Sequence, residues 1–186
     1  MTDDDFLERV RCNANNRTIL ERLPELGARG AMLAAGCLFQ TVWNLADGRA
    51  PGAGIADYDL FYFDDADLSY EAEDDVIRRG RALFADLGVE VEIRNQARVH
   101  LWYPSRFGGE YPALTSTEDG VDRFLVACTC VGVANEGGRL RLHATYGLDE
   151  LEAGVLRPNP KMRAPELFRA KAESYRARWP SLRVEG

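Results

Sequence analysis

Apolar and polar positions alternate most cleanly over residues 89–94, Val89-Glu90-Val91-Glu92-Ile93-Arg94. This pattern predicts a strand with Val89, Val91 and Ile93 toward the core and Glu90, Glu92 and Arg94 on the other face. A second strand is expected over 56–64, which is rich in aromatic residues, follows a Gly/Pro loop and precedes an acidic turn. Side chains two apart on a strand face the same way, so Asp57 and Asp59 project together.

Helical spacing accounts for most of the rest. Residues 2–23 read as helix, with Phe6, Leu7, Val10, Ile19 and Leu20 as the stripe, Thr2 or Asp3 as cap, and a break at Asn13 to Asn16. Ala31 to Ala35 is a short buried strand that turns at Gly36-Cys37 into a helix from Leu38 to Leu45. Ser69, followed by Glu71 and Glu73, opens a helix that carries Val76, Ile77, Leu83, Phe84 and Leu87 and stops at Gly88. Residues 95–103 fit either a continued strand or, as we expect, a short helix capped by Asn95 and ended by Pro104 and Gly108. A helix from Ser116 or Thr117 runs toward Cys130, and Asn135-Glu136-Gly137-Gly138 marks a hairpin. Leu148 to Leu151 makes a helical turn, Arg157-Pro158-Asn159-Pro160 a rigid linker, and Pro165 to Trp179 a last helix. The order predicts an α/β (α+β) fold: a small mixed sheet with helices mainly on one face. One domain is expected over 1–186, with 131–186 a C-terminal extension holding the hairpin and the last helix.

Composition narrows the partners. A net charge of −7 argues against general binding of DNA or RNA through a basic surface. No apolar run approaches the roughly 18 residues of a membrane span, and the acidic start lacks a signal-peptide layout, so no membrane partner is expected. Cys12, Cys37, Cys128 and Cys130 show neither zinc spacing nor a disulfide framework, which suggests reduced thiols in a cytoplasmic protein.

Two carboxylates held side by side repel, and a divalent cation such as Mg²⁺ would neutralise them. A solvated edge-strand face is the competing account of Asp57 and Asp59. Gly36-Cys37, at a strand–helix turn, could cradle phosphate on backbone amides, or could be an ordinary turn.

Ala35-Gly36-Cys37, Asp57-Tyr58-Asp59-Leu60 and Glu92 together resemble the motif of the polymerase-β-like nucleotidyltransferase superfamily. More narrowly, Val42-Trp43-Asn44, Tyr62-Phe63-Asp64, the run from Arg94 to Trp102, the run from Tyr146 to Leu151 and Arg157-Pro158-Asn159-Pro160 resemble a family of bacterial nucleotidyltransferase-like proteins. The resemblance implies transfer of a nucleoside monophosphate from an NTP to an acceptor hydroxyl, on a small molecule, RNA or protein. It implies Mg²⁺, or Mn²⁺ in its place, held by Asp57, Asp59 and Glu92, with Glu90 the rival for the third position. Gly36 and Cys37 would bind the nucleotide. Arg98 and His100 would neutralise triphosphate or place the acceptor, or else form a polar network that supports the fold. Cys37 stands where the superfamily has Ser, which leaves phosphate to the backbone amides, and the gap from Gly36 to Asp57 is longer than the superfamily habit. Trp43, Trp102 and Tyr103 read as core or base-stacking supports, and Lys161 and Lys171 as a solvated basic face, with contact to phosphates the alternative. A catalytically silent binding module on the same fold, or a glycosyltransferase using Asp57 and Asp59 for its metal, are the alternatives.

Overall fold

The computed structural model describes residues 1–162 and 164–186, with Phe107 by its backbone alone. Helices α1 (Asp3–Arg11) and α2 (Ala14–Arg22) are split at the Asn-rich piece. Thr2 and Asp5 form a capping box on α1, and Asn13 caps α2 by accepting from Asn15 N–H. The remaining asparagine side chains fasten this unit to the core. Asn16 Nδ2, fully buried, donates to the carbonyls of Val10 and Cys37 and to Thr41 Oγ1.

Strand β1 (Met32–Ala34) runs into helix α3 (Gly36–Ala46), and β2 (Asp57–Tyr62) into α4 (Tyr70–Leu83), which Ser69 caps. Strand β3 (Glu90–Asn95) lies parallel to β2, joined through α4. Helix α5 (Val99–Phe107) follows a short 3₁₀ turn capped by Asn95. It passes through Pro104 rather than ending there. One missing N–H does not stop it, because Gly108 N–H closes onto the Pro104 carbonyl at 3.0 Å.

The chain then departs from its expected layout. Helix α6 covers only Thr117–Val121. Beyond it Asn159, 1% exposed, takes the carbonyls that a longer helix would need. Its Nδ2 donates to Asp122 O and Phe124 O, both at 2.7 Å, and its backbone N–H to Leu125 O at 3.0 Å. The stretch 157–160, expected as a linker, is therefore anchored to the fold through the buried Asn159, and Pro158 bridges Val126. Strands β4 (Val131–Glu136) and β5 (Arg139–Ala144) form the expected hairpin, but β4 pairs with β1. The sheet order is β3-β2-β1-β4-β5, so the hairpin belongs to the main sheet, with β4, which starts at the expected extension boundary of 131, inside it between β1 and β5. Helix α7 (Asp149–Ala153), strand β6 (Val155–Leu156), helix α8 (Pro165–Arg178) and strand β7 (Arg183–Val184) follow. The parallel β6–β7 pair has no alternating pattern and was not foreseen.

The two sheet faces differ as the pattern of β2 demands. Tyr58, Leu60 and Tyr62 are buried in the main core with Ile19, Leu33, Leu38 and Ile93, on the side that α1 to α4 cover. The opposite face is covered by α6 and the segment after it, where Ala34, Val121 and Cys130 pack with Phe61 and Phe124. Asp57 and Asp59 share that second face.

Candidate active site

Strand pairing puts the acidic residues in register. On the parallel pair, Asp59 stands opposite Glu92 and Asp57 opposite Glu90. On the antiparallel pair, Ala34 stands opposite Asp59. The turn at Ala35-Gly36 therefore leaves β1 at the Asp57 end of β2, whatever the length of chain between them. Ala35, Gly36, Asp57 and Asp59 line one cleft of about 510 Å³. The long gap from Gly36 to Asp57 is taken up by α3 and by the loop after it. Asn44 secures that loop, donating to Pro51 O at 3.1 Å and Ala53 O at 2.9 Å.

Burial, then the charges of Asp57 and Glu92, raise Asp59 from 3.8 to about 7, while Arg94 and Lys171 oppose the rise. Glu92 binds Arg94 Nη2 through Oε2 at 3.2 Å and lines a smaller groove of about 300 Å³ between β3 and α4, not the cleft itself. Among the described residues, no three His, Cys, Asp or Glu side chains converge tightly enough to enclose a metal ion.

The turn beside them is strained. Ala35 sits at φ 60°, ψ −140°, the one non-glycine residue with positive φ among those described. Such conformations cost about 1–3 kcal/mol and cluster at ligand sites. No side chain caps α3; Leu38 N–H closes onto Ala35 O at 3.2 Å, and the Gly36 and Cys37 amides ahead of it are left without a side-chain cap. Cys37 is fully buried, its Sγ 3.3 Å from Ala34 O, and desolvation with the nearby Asp59 charge raises its thiol well above the ordinary value. Its side chain is held as a thiol in the core, and only its backbone is available to a phosphate.

Arg98 and His100 are not among the residues that line the cleft. Arg98 forms a buried ion pair with Glu73 and donates to Leu68 O at 3.0 Å, while Glu73 also accepts from Asn95 N–H at 2.8 Å. This network ties α4 to the end of β3, which is the supporting role weighed for Arg98 above. His100 Nδ1 is buried without a partner among the described residues. Lys161 pairs with Asp122 at 2.5 Å, away from the cleft.

The cations of the cleft are instead Lys171 and Arg123. Lys171 Nζ stands 5.4 Å from the Tyr175 ring. Arg123 pairs with Asp119 at 3.2 Å, and its Nε is buried with no partner among the described residues. Tyr103 and Tyr111, with ring centroids 4.3 Å apart, add an aromatic wall. Sequence reasoning placed Lys171 on a solvated face, with phosphate contact as the alternative, and did not single out Arg123. The one available signal was a basic residue within the last helix.

The architecture is that of a nucleotidyltransferase head domain. An NMR structure described as revealing a CCA-adding enzyme head domain matches with a TM-score of 0.78, at 24% sequence identity, over 100% of this chain and 96% of that one. At that identity the likeness establishes the fold. A nucleotidyltransferase family model matches residues 21–184, and the chain belongs to that family. The comparison with curated proteins gives no match.

Proposed function

We propose that the protein is a divalent-metal-dependent nucleotidyltransferase that moves a nucleoside monophosphate from an NTP to an acceptor hydroxyl. One observation carries the reading: the Asp57/Asp59 pair and the strained Ala35-Gly36 turn open into a single cleft that also holds Lys171 and Arg123. Carboxylates and amides on one side, with cations facing them, suit a metal-bound triphosphate better than they suit a solvated strand face.

The residues fit Mg²⁺ or Mn²⁺. Asp57 and Asp59 supply hard oxygen donors, and the Asp59 carboxyl is raised by burial first and then by the charges of Asp57 and Glu92, which a bound cation would offset. Two carboxylates suffice, because Mg²⁺ commonly completes its shell with substrate phosphates and water. When bound, the metal would offset charge on the transferring phosphate and favour ionisation of the acceptor hydroxyl. The chain's own groups divide the remaining work. Amides at the start of α3 orient the phosphates, and Lys171 and Arg123 offset their charge. Glu92, opposite Asp59 on β3 and bound by Arg94 at Oε2, would serve as the third carboxylate from beside the cleft, on the acceptor side. The four free thiols fit the reducing cytoplasm.

The test is transfer of label from α-phosphate-labelled NTPs into a cell extract with Mg²⁺, for the parent and Asp59→Asn. Label transfer and pyrophosphate release by the parent alone are the expected result. Nucleotide binding without any product would identify a silent module, and release of a nucleoside diphosphate from a sugar donor would identify a glycosyltransferase.

A further inference from the structure

Gln40 lies one turn into α3 and is 8% exposed, yet it lines the cleft that holds Asp57 and Asp59. Its Oε1 accepts a hydrogen bond from Arg178 Nη1 at 3.2 Å. Arginine has donors only, so this contact decides which end of the carboxamide is oxygen and turns Nε2 the other way. Nε2 sits over the phosphate turn: a β-carbon on Gly36 would stand 2.5 Å from it. Among the described residues, Nε2 has no hydrogen-bond acceptor. A carboxamide fixed at its oxygen end, with its donor end open to the cleft and free of protein acceptors, is placed to donate to a ligand there.

The carboxamide is also held in place from behind. Arg178 Cζ lies 4.5 Å from the Trp179 ring and 5.5 Å from the Tyr175 ring. Trp179 Nε1 in turn donates to Asn44 Oδ1 on α3 at 2.9 Å. The end of α8 is thus clamped onto α3, with the Arg178 guanidinium against Gln40. Cys37, whose thiol faces the core, leaves the turn without a side-chain donor of its own.

We propose that Gln40 is a phosphate-binding residue of the nucleotide site. Its Nε2, beside the uncapped start of α3, donates to a phosphate oxygen of the bound nucleotide, and Arg178 is the positioning residue that aims it. This assignment rests on the nucleotidyltransferase reading and deepens it, since it names the side chain that takes over from the buried thiol.

The experiment is equilibrium binding of inorganic tripolyphosphate, each of the four NTPs and the matching nucleosides, with Mg²⁺. The proteins are the parent, Gln40→Met, Gln40→Glu, Arg178→Met and the Gln40→Met/Arg178→Met double variant, with melting temperatures taken without ligand. Gln40→Met keeps the length of the side chain and removes the donor. It is expected to raise Kd for NTP and tripolyphosphate about 10-fold or more, as for loss of a hydrogen bond to a charged group, and to leave nucleoside binding unchanged. Gln40→Glu, which keeps the shape and can still meet Arg178, should weaken tripolyphosphate binding further through like charge. The double variant should bind no more weakly than Gln40→Met, because Arg178 acts through Gln40. An unchanged Kd in a folded Gln40 variant overturns the phosphate role while the transferase reading stands. Additive losses in the double variant overturn the positioning role of Arg178. A parent that binds neither tripolyphosphate nor any NTP overturns both, and that result is read without any variant.

Discussion

In chelator-treated protein, Asp59→Asn is expected to stabilise the fold by an amount that grows with pH. Burial and the charges of Asp57 and Glu92 raise the Asp59 carboxyl from 3.8 to about 7. The unfolded chain keeps the ordinary value, so between about pH 4 and pH 7 the folded state holds a proton that the unfolded state has released. The contribution of the neutral carboxyl to stability is therefore full below about pH 4. It is lost as pH rises and is gone above about pH 7. A rise of about three units corresponds to about 4 kcal/mol. Asn is nearly the same shape and has no proton to lose. Melting temperatures of parent and variant should coincide near about pH 4 and diverge by about 8–16 °C at about pH 8, taking 2–4 °C per kcal/mol for a chain of this size. Excess Mg²⁺ should raise the parent's melting temperature at the higher pH, because a cation at the pair offsets the repulsion, and should move the variant less. The assay is thermal unfolding followed by circular dichroism across that range, with and without metal. Parallel curves at all pH values would refute the reasoning, since they would mean that Asp59 stays ionised and solvated in the cleft.

Two further substitutions separate the fold from the site. Arg98→Met leaves Glu73 as an uncompensated buried charge and is expected to cost about 3–5 kcal/mol, seen as a lower melting temperature, with NTP affinity unchanged below the transition. A weaker NTP affinity at unchanged melting temperature would return Arg98 to the site. Lys171→Met removes a cation that opposes the rise of Asp59, so the pH profile of transfer should move to higher pH and NTP should bind about 10-fold more weakly, with little change in stability because Lys171 is exposed. A pH–rate profile and a nucleotide titration check it.

What could be read from the chain follows the range of the interactions concerned. Strands β2 and β3 were legible because alternation is a property of neighbouring residues, and the parity of Asp57, Asp59 and Glu92 then placed them on one face. The break between α1 and α2 was legible for the same reason, since Asn13 caps within two residues of itself. Arg98 was left between two readings because a guanidinium next to a strand end looks the same in sequence whether it meets a ligand or a buried glutamate. Glu73 lies a whole helix away, and only the packing of α4 on β3 brings the two together. The distance from Gly36 to Asp57 along the chain says little about their distance in space, since the antiparallel pairing of Ala34 with Asp59 makes the two ends neighbours.

The cation wall of the cleft shows why the remaining part of the site was hidden. A pattern of Pro-Asn-Pro reads as a spacer, because neither proline can donate to a sheet or continue a helix. In the fold, Asn159 uses that rigidity. Held at 1% exposure, it accepts from Tyr146 Oη at 2.6 Å and captures the carbonyls of Asp122, Phe124 and Leu125. Those captured carbonyls are what α6 would have needed to run on toward Cys130. The helix stops, and the segment that begins at Arg123 and Phe124 passes along the cleft instead of coiling past it. Lys171 reaches the same cleft from α8, which packs back onto α3 through Phe39, Trp43 and Tyr175. Each cation is thus positioned by contacts between segments far apart in the chain. The carboxylates can be read from one strand, whereas the charges that answer them depend on how a buried asparagine and an aromatic cluster close the fold around it.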